Sequence, residues 1–345
     1  MRAKICILGN FTSLVNGQTI KTEIVTDTLR RQFGEDQVRT IDTQGGALAL
    51  LKAPFQAFKA LKNSQNVLIF PGENGLRVYA PLLFLQRFFF KDRRLHYVVI
   101  GAWLARFLPK RRLLEKMLKR FDGIYAETNT LRAALEARGF QNVYVMPNCK
   151  RLTVLSDEDL TPAPNPPYKL CTFARVNKEK GTETAVNVVE RVNRKLGYVA
   201  YSLDIYGQVY AEHQEWFNEL QSRFPAYVRY GGCVDSQKSV EVLREYFALL
   251  FPTHYFTEGI PGTIIDAYAA GIPVISAKWE SYADVIDDGV TGICYDFDNE
   301  EQFEDILFRA AKDPAMLLEL KPNCIRKATD YLPETAIRII VDRLG

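Results

Sequence analysis

At 345 residues, 47% of them apolar and 25% charged, the chain is too long for one ordinary core and reads as about two globular domains. A net charge of +3 gives no bulk drive toward nucleic acid, and six cysteines without a C-x-x-C pair point to a reducing, cytoplasmic setting and no zinc site. The opening "MRAKICILGN" carries an apolar run too short for a signal peptide, and no stretch reaches the roughly 18 apolar residues of a membrane span.

Along the first half, "KICILG", "NVLIFPG", "HYVVIG", "GIYAET" and "VYVMPN" are strand-like runs that end in small, polar or turn residues. Periodic segments such as "TEIVTDTLRRQF" and "LRAALEARGF" lie between them. This alternation predicts βα repeats, with a parallel sheet covered by helices on both faces. Charge is unevenly spread. From Arg87 to Arg120 eleven Lys or Arg stand against Asp92 and Glu115, a local +9 that leaves −6 for the remainder. In "PLLFLQRFFFKDRR", Phe88 to Phe90 sit beside four cations, a composition suited to an anionic membrane surface. In "PKRRLLEKMLKRF", Leu113, Leu114, Met117, Leu118 and Phe121 recur at helical spacing, so that face is expected in the core and the cations in water.

Next, "SDEDLTPAPNPPYK" gathers Pro162, Pro164, Pro166 and Pro167, which suits neither a helix nor a central strand. We therefore expect an N-terminal domain over 1–155, a proline-rich linker over 156–167 and a second domain over 168–328. A last helical segment over 329–345 is free to pack back on the first domain. In the second domain "LCTFARV", "YSLDIYG", "ALLFPT" and "IPVIS" read as strands, and "ETAVNVVERVNRKL" as a helix with Ala185, Val188, Val189, Val192 and Leu196 on one face. The expected architecture is α/β, two doubly wound Rossmann-like domains facing each other across a cleft, with ligands beyond the carboxyl ends of the strands.

Those strand ends carry the chemistry. "LCTFARVNKEKGTET" places Arg175 and Lys180 in the turn before a helix opening near Gly181, where two cations and free amides suit an anion. A solvated basic turn would look the same. Gly207 ends another strand and permits close backbone approach. Glu258 follows "ALLFPT", and the run Gly259, Ile260, Pro261, Gly262, Thr263 opens a helix with free amides. Asp266, about one turn in, suits a hydroxyl pair such as a ribose diol, or simply a favourable first-turn acid. Together these residues fit a nucleoside diphosphate carrying a sugar. Asp296 and Asp298 form a D-x-D spacing that elsewhere holds a divalent metal, but Asp298 with Glu301 reads better as a helix cap. His96 begins its strand, at the wrong end for the cleft, and reads as structural.

"FARVNKEKG", "LDIYG", "FPTHYFTEGIPGTIIDAYAAGIPVIS" and "VIDDGVTGICY" resemble the GT-B-fold glycosyltransferases of family 4, retaining enzymes that use nucleotide sugars. The resemblance spans most of residues 168–297 and is nearest to bacterial members that build capsule, O-antigen or exopolysaccharide. It implies that Arg175 and Lys180 hold the donor diphosphate, that Glu258 contacts the donor sugar and that Asp266 stands where a ribose-binding acid is expected. Here Asp replaces the usual, longer Glu. Weaker echoes in "NGQTIKT", "VIGAWL" and "MPN" put the acceptor, a glycan or lipid-linked oligosaccharide, near Asn16, Gly17, Gln18, Gly101 and Trp103. Gly101 and Ala102 stand where many members have a histidine, so acceptor activation is expected to rest on the donor phosphate. No metal or other cofactor is implied, and nucleic acid is not an expected partner. Two other readings stay open: a sugar-nucleotide 2-epimerase on the same architecture, and a catalytically silent scaffold. An oxidoreductase is disfavoured, since no G-x-G-x-x-G follows the first strand.

Overall fold

In the computed structural model, which describes residues 2–11, 17–160 and 165–344, the chain packs into two compact units. One runs to Arg151 and resumes at Tyr331; the other is Leu152–Asp330. Residues 161–164 of the proline-rich segment, with Pro162 and Pro164, lie outside the described residues, as does Asn16. At the start of that segment, Asp157–Asp159 forms a short turn capped by Ser156.

The first unit holds a parallel sheet of six strands: β1 Ala3–Gly9, β2 Val38–Asp42, β3 Ser64–Ile69, β4 Arg94–Val98, β5 Gly123–Ala126 and β6 Val143–Val145, in the order β2-β1-β3-β4-β5-β6. Period-two alternation sends Cys6, Leu8, Val67 and Ile69 to one face and Ile5, Ile7, Leu68 and Phe70 to the other. Both faces are buried, as an all-parallel sheet requires. Helices Gly46–Asn63 and Glu73–Gln86 cover the first face. Helix Gly17–Phe33 covers the second together with Ile337, Ile340 and Leu344 from the end of the chain.

The second unit repeats the plan with β7 Tyr168–Phe173, β8 Tyr201–Tyr206, β9 Val228–Gly232, β10 Ala248–Phe251, β11 Val274–Ala277 and β12 Gly292–Tyr295. Its order is β12-β11-β10-β7-β8-β9, again parallel throughout. Helix Thr182–Leu196 packs its Ala185, Val188, Val189 and Val192 into this core. The expected doubly wound α/β architecture is therefore present twice.

Two local expectations are corrected. Leu113, expected in the core with its helical neighbours, is 69% exposed, while Leu114, Met117, Leu118 and Phe121 are buried. The helix cap lies one residue later than expected: Asn299, not Asp298, accepts the Gln302 amide at 3.1 Å and opens helix Glu300–Lys312. Asp298 instead adopts a left-handed φ of 61°.

His96 lies within β4, buried, its Nδ1 3.1 Å from the Tyr125 hydroxyl. Burial, chiefly, lowers its pKa from 6.5 to about 4, the pull of Asp122 notwithstanding. The unfolded chain therefore takes up the proton first. Stability is expected to fall as pH drops from 6.5 through about 4, by up to about 3 kcal/mol from this residue. Denaturant titrations across that range should show a flatter pH dependence for His96→Gln than for the wild type; equal slopes would remove His96 from the account.

Candidate active site

In the second unit, β7 leads to β8 on one side while β10 returns to pair on its other side. The strand order reverses at this β7–β10 boundary, so the loops after the two strands leave in opposite directions and open a gap at their carboxyl ends. The β7 loop supplies Arg175 and Lys180, and the β10 loop supplies Thr253, His254 and Glu258.

Lys180 and Glu258, 78 residues apart in sequence, meet as an ion pair with only 12% and 11% of their side chains exposed. The local backbone explains how each arrives. Asn177 accepts the Lys180 amide at 2.9 Å and folds Lys178–Lys180 into a tight turn. That turn closes at Gly181 in the left-handed region before the helix Thr182–Leu196 begins. On the other loop, the Thr253 hydroxyl lies 3.4 Å from Glu258 Oε1, and the His254 amide donates to the Glu179 carbonyl at 2.8 Å, tying the loops together. The Lys180 ammonium also lies 5.7 Å from the Phe251 ring centre and 5.9 Å from that of Tyr255. Arg175 is exposed and, among the described residues, has no carboxylate partner.

Helix Gly262–Ala269 starts after Pro261 with no side-chain cap, so its first amides have no partner within the helix. The Thr263 hydroxyl beside them is buried and without a hydrogen-bond partner. Asp266 is on this helix, 3% exposed. The structure thus brings Lys180 and Glu258 into contact and sets Gly259, Ile260, Pro261, Gly262, Thr263 and Asp266 on the segment that follows. Gly207 closes β8, where its amide donates to the Gly232 carbonyl at 2.9 Å.

The acceptor candidates lie on the first unit, beyond the carboxyl ends of its strands. Gly17 and Gln18 open the helix after β1, and the Gln18 side chain donates to the Phe70 carbonyl, just past β3, at 3.0 Å. Gly101, with φ of 81°, and Trp103 follow β4. The Trp103 indole N–H is taken by the Ile100 carbonyl at 2.9 Å, which leaves its ring face, not its donor, for recognition. Sequence reasoning missed a neighbouring pair. Lys21 and Glu127, 1% and 4% exposed, form an ion pair at 2.7 Å between the helix after β1 and the end of β5. A buried charge pair is costly to desolvate, which makes its place at a strand-end rim notable.

Nor did the sequence signal the role of His254. Its Nδ1 meets Asp298, and its Nε2 lies 3.1 Å from the Thr184 hydroxyl, linking the β10 loop to the turn before helix Glu300–Lys312. Of the D-x-D pair, Asp296 is engaged by Lys278 and Gln302, and Asp298 by His254. Among the described residues, no group of three or more His, Cys, Asp or Glu is arranged to hold a metal ion.

Two parallel six-stranded sheets, each flanked by helices, make this the fold of the GT-B glycosyltransferases. A model of the family described as glycosyl transferases group 1 matches residues 157–330, and the chain belongs to that family. No curated protein matches it in sequence. Among solved structures, Anabaena Alr3699/HepE in complex with UDP superposes with a TM-score of 0.76 at 16% identity, covering 100% of this chain and 99% of that one. The same protein with UDP-glucose gives 0.74 at 16% identity, with 99% and 98% covered. The lipopolysaccharide outer core galactosyltransferase WaaB, in its apo form, gives 0.73 at 17% identity, with 100% and 99% covered.

Two glycines hold the loops together. A Cβ on Gly207 would lie 1.7 Å from the Ala174 carbonyl oxygen, and one on Gly181 1.8 Å from that of Pro252. Gly207→Ala and Gly181→Ala should each lower the unfolding free energy by more than about 2 kcal/mol. Gly197 has a comparable φ of +77° but nothing within 4 Å of its Cβ position, so Gly197→Ala should cost only about 1 kcal/mol. Urea denaturation of the three variants checks the ranking, and equal losses would refute the close-approach argument.

Proposed function

We propose that this chain is a retaining glycosyltransferase, transferring a sugar from a nucleotide-sugar donor to a glycan or lipid-linked acceptor during cytoplasmic assembly of a cell-surface polysaccharide. The observation that carries the reading is the Lys180–Glu258 pair at the β7–β10 switch point, with Arg175 on the same loop as Lys180. Cation and acid at one point suit a donor that presents a diphosphate and a sugar side by side. Complexes of HepE with UDP and UDP-glucose, and the galactosyltransferase activity in the name of WaaB, support a nucleotide-sugar donor by analogy of fold.

In this reading Arg175 and Lys180 bind the diphosphate and stabilise the charge that builds on it as the glycosidic bond breaks. Glu258 orients the sugar, Asp266 the ribose, and the free amides of Gly262 and Thr263 add to the anion site. The bond between the anomeric carbon and the diphosphate oxygen breaks, its electron pair leaving with the diphosphate. The acceptor oxygen bonds to the same face of that carbon, and its proton passes to the departing phosphate. No metal takes part, because the two cations neutralise the leaving group.

Thermal-shift measurements across UDP, GDP, ADP and their sugar conjugates test the donor site, since a ligand that binds the folded state raises Tm by mass action. One nucleotide should raise Tm equally with and without EDTA, and Lys180→Ala should reduce the shift. Glu258→Gln should leave nucleotide binding in place and cut transfer by about 100-fold or more. Near-normal turnover in both variants would overturn the site. No shift with any nucleotide would favour a silent scaffold, and an epimer formed without acceptor would favour the isomerase.

A further inference from the structure

Helix Gly46–Asn63 is built inside out. Ala53, Ala57 and Ala60 face the core, each at most 1% exposed, whereas Leu51 is 80%, Phe55 71% and Phe58 40% exposed. Residues 51, 55 and 58 recur at i, i+4 and i+7, a single stripe opposite the alanines. A water-facing surface does not need its largest apolar side chains there.

The stripe continues onto neighbouring elements. Gln86 donates to the Pro54 carbonyl at 3.0 Å, and Phe58 meets Phe90 edge to face at 5.4 Å. These contacts place the turn Arg87–Phe89 beside the helix, with Phe88 72% and Phe89 76% exposed. A groove of about 550 Å³ lies among Phe84, Leu85, Phe88 and Phe89. Helix Glu73–Gln86 then leads, through Arg77 and Pro81, to a second groove of about 570 Å³ beside the exposed Leu113.

The rim of this surface carries one sign of charge. Helix Gly46–Asn63 has Lys52, Lys59 and Lys62 and no acid. Between residues 46 and 122 the acids are Glu73, Asp92, Glu115 and Asp122. Asp92 is held by Arg93, Asp122 by Arg87, and Glu115 by Arg138 and Lys119. Glu73 sits at the far start of its helix. Among the described residues, Lys91, Lys110, Arg111 and Arg112 have no carboxylate partner.

We propose that this face docks on an anionic lipid bilayer: Leu51, Phe55, Phe88 and Phe89 enter the boundary between headgroups and acyl chains, while the surrounding Lys and Arg meet lipid phosphates. A second copy of the chain suits the surface less well, because a symmetric contact would set its cations against themselves. The contact lies on the first unit, whereas the residues assigned to the donor belong to the second, and vesicle binding is read without turnover. The two readings therefore fail separately.

Sedimentation of the full chain with phosphatidylcholine vesicles, with and without phosphatidylglycerol, tests it. Binding should require the anionic lipid and weaken as salt rises. The double substitution Leu51→Ser with Phe55→Ser should lower partitioning about tenfold or more. Lys110→Gln with Arg112→Gln should lower it about 30-fold. All four side chains are exposed or on the rim, and unchanged circular dichroism and Tm would establish that the variants fold. Equal binding to neutral vesicles, or unaltered binding by both folded variants, would overturn the assignment. So would a dimer in light scattering that the same substitutions dissolve while vesicles are ignored.

Discussion

A parallel sheet ends all its strands on one edge, and that constraint organises the second unit. Where the strand order turns around between β7 and β10, two adjacent strands send their loops apart. The space left there cannot be filled by either following helix. It is lined instead by whatever the two loops carry, here Arg175 and Lys180 from one and Thr253, His254 and Glu258 from the other.

A nearly buried Lys–Glu pair at that point is costly to desolvate. Such a pair is poorly suited to serve stability alone, since well-packed apolar side chains would do as well. It is suited to exchange, as the proposed donor site requires: an incoming anion for the lysine and hydroxyl groups for the carboxylate. The surrounding contacts keep this exchange local. Thr253 and the His254 amide hold the β10 loop to the β7 turn, and the His254 ring holds it to Asp298 and Thr184.

Much of this was legible in the sequence, and the omissions share a physical cause. The interior strands announce themselves as unbroken apolar runs because both their faces are buried. The strands overlooked were β2, β9 and β12, all at sheet edges. β2 "VRTID" buries only its valine, and β9 "VRYGG" is similarly open, so neither shows a run, while β12 "GICY" opens on a glycine and leaves Ile293 only partly buried. Arg175, Lys180 and Glu258 stood out because they follow such runs directly. Lys21 and Glu127 did not, because a pair separated by 106 residues has no local signature. Helix Gly46–Asn63 was passed over for another reason. Its alanines and its Leu and Phe residues are all apolar, and nothing in their order says which stripe faces inward.

The return of the chain after Asp330 has a consequence for synthesis. Ile337, Ile340 and Leu344 complete an apolar layer begun by Ile5 and Ile7, so the first unit is discontinuous in sequence while the second, Leu152–Asp330, is continuous. A chain emerging amino end first can close the later unit before the earlier one. Until the final helices leave the ribosome, that face of the leading sheet has only part of its cover, so the two halves can mature in the reverse of the order in which they are made.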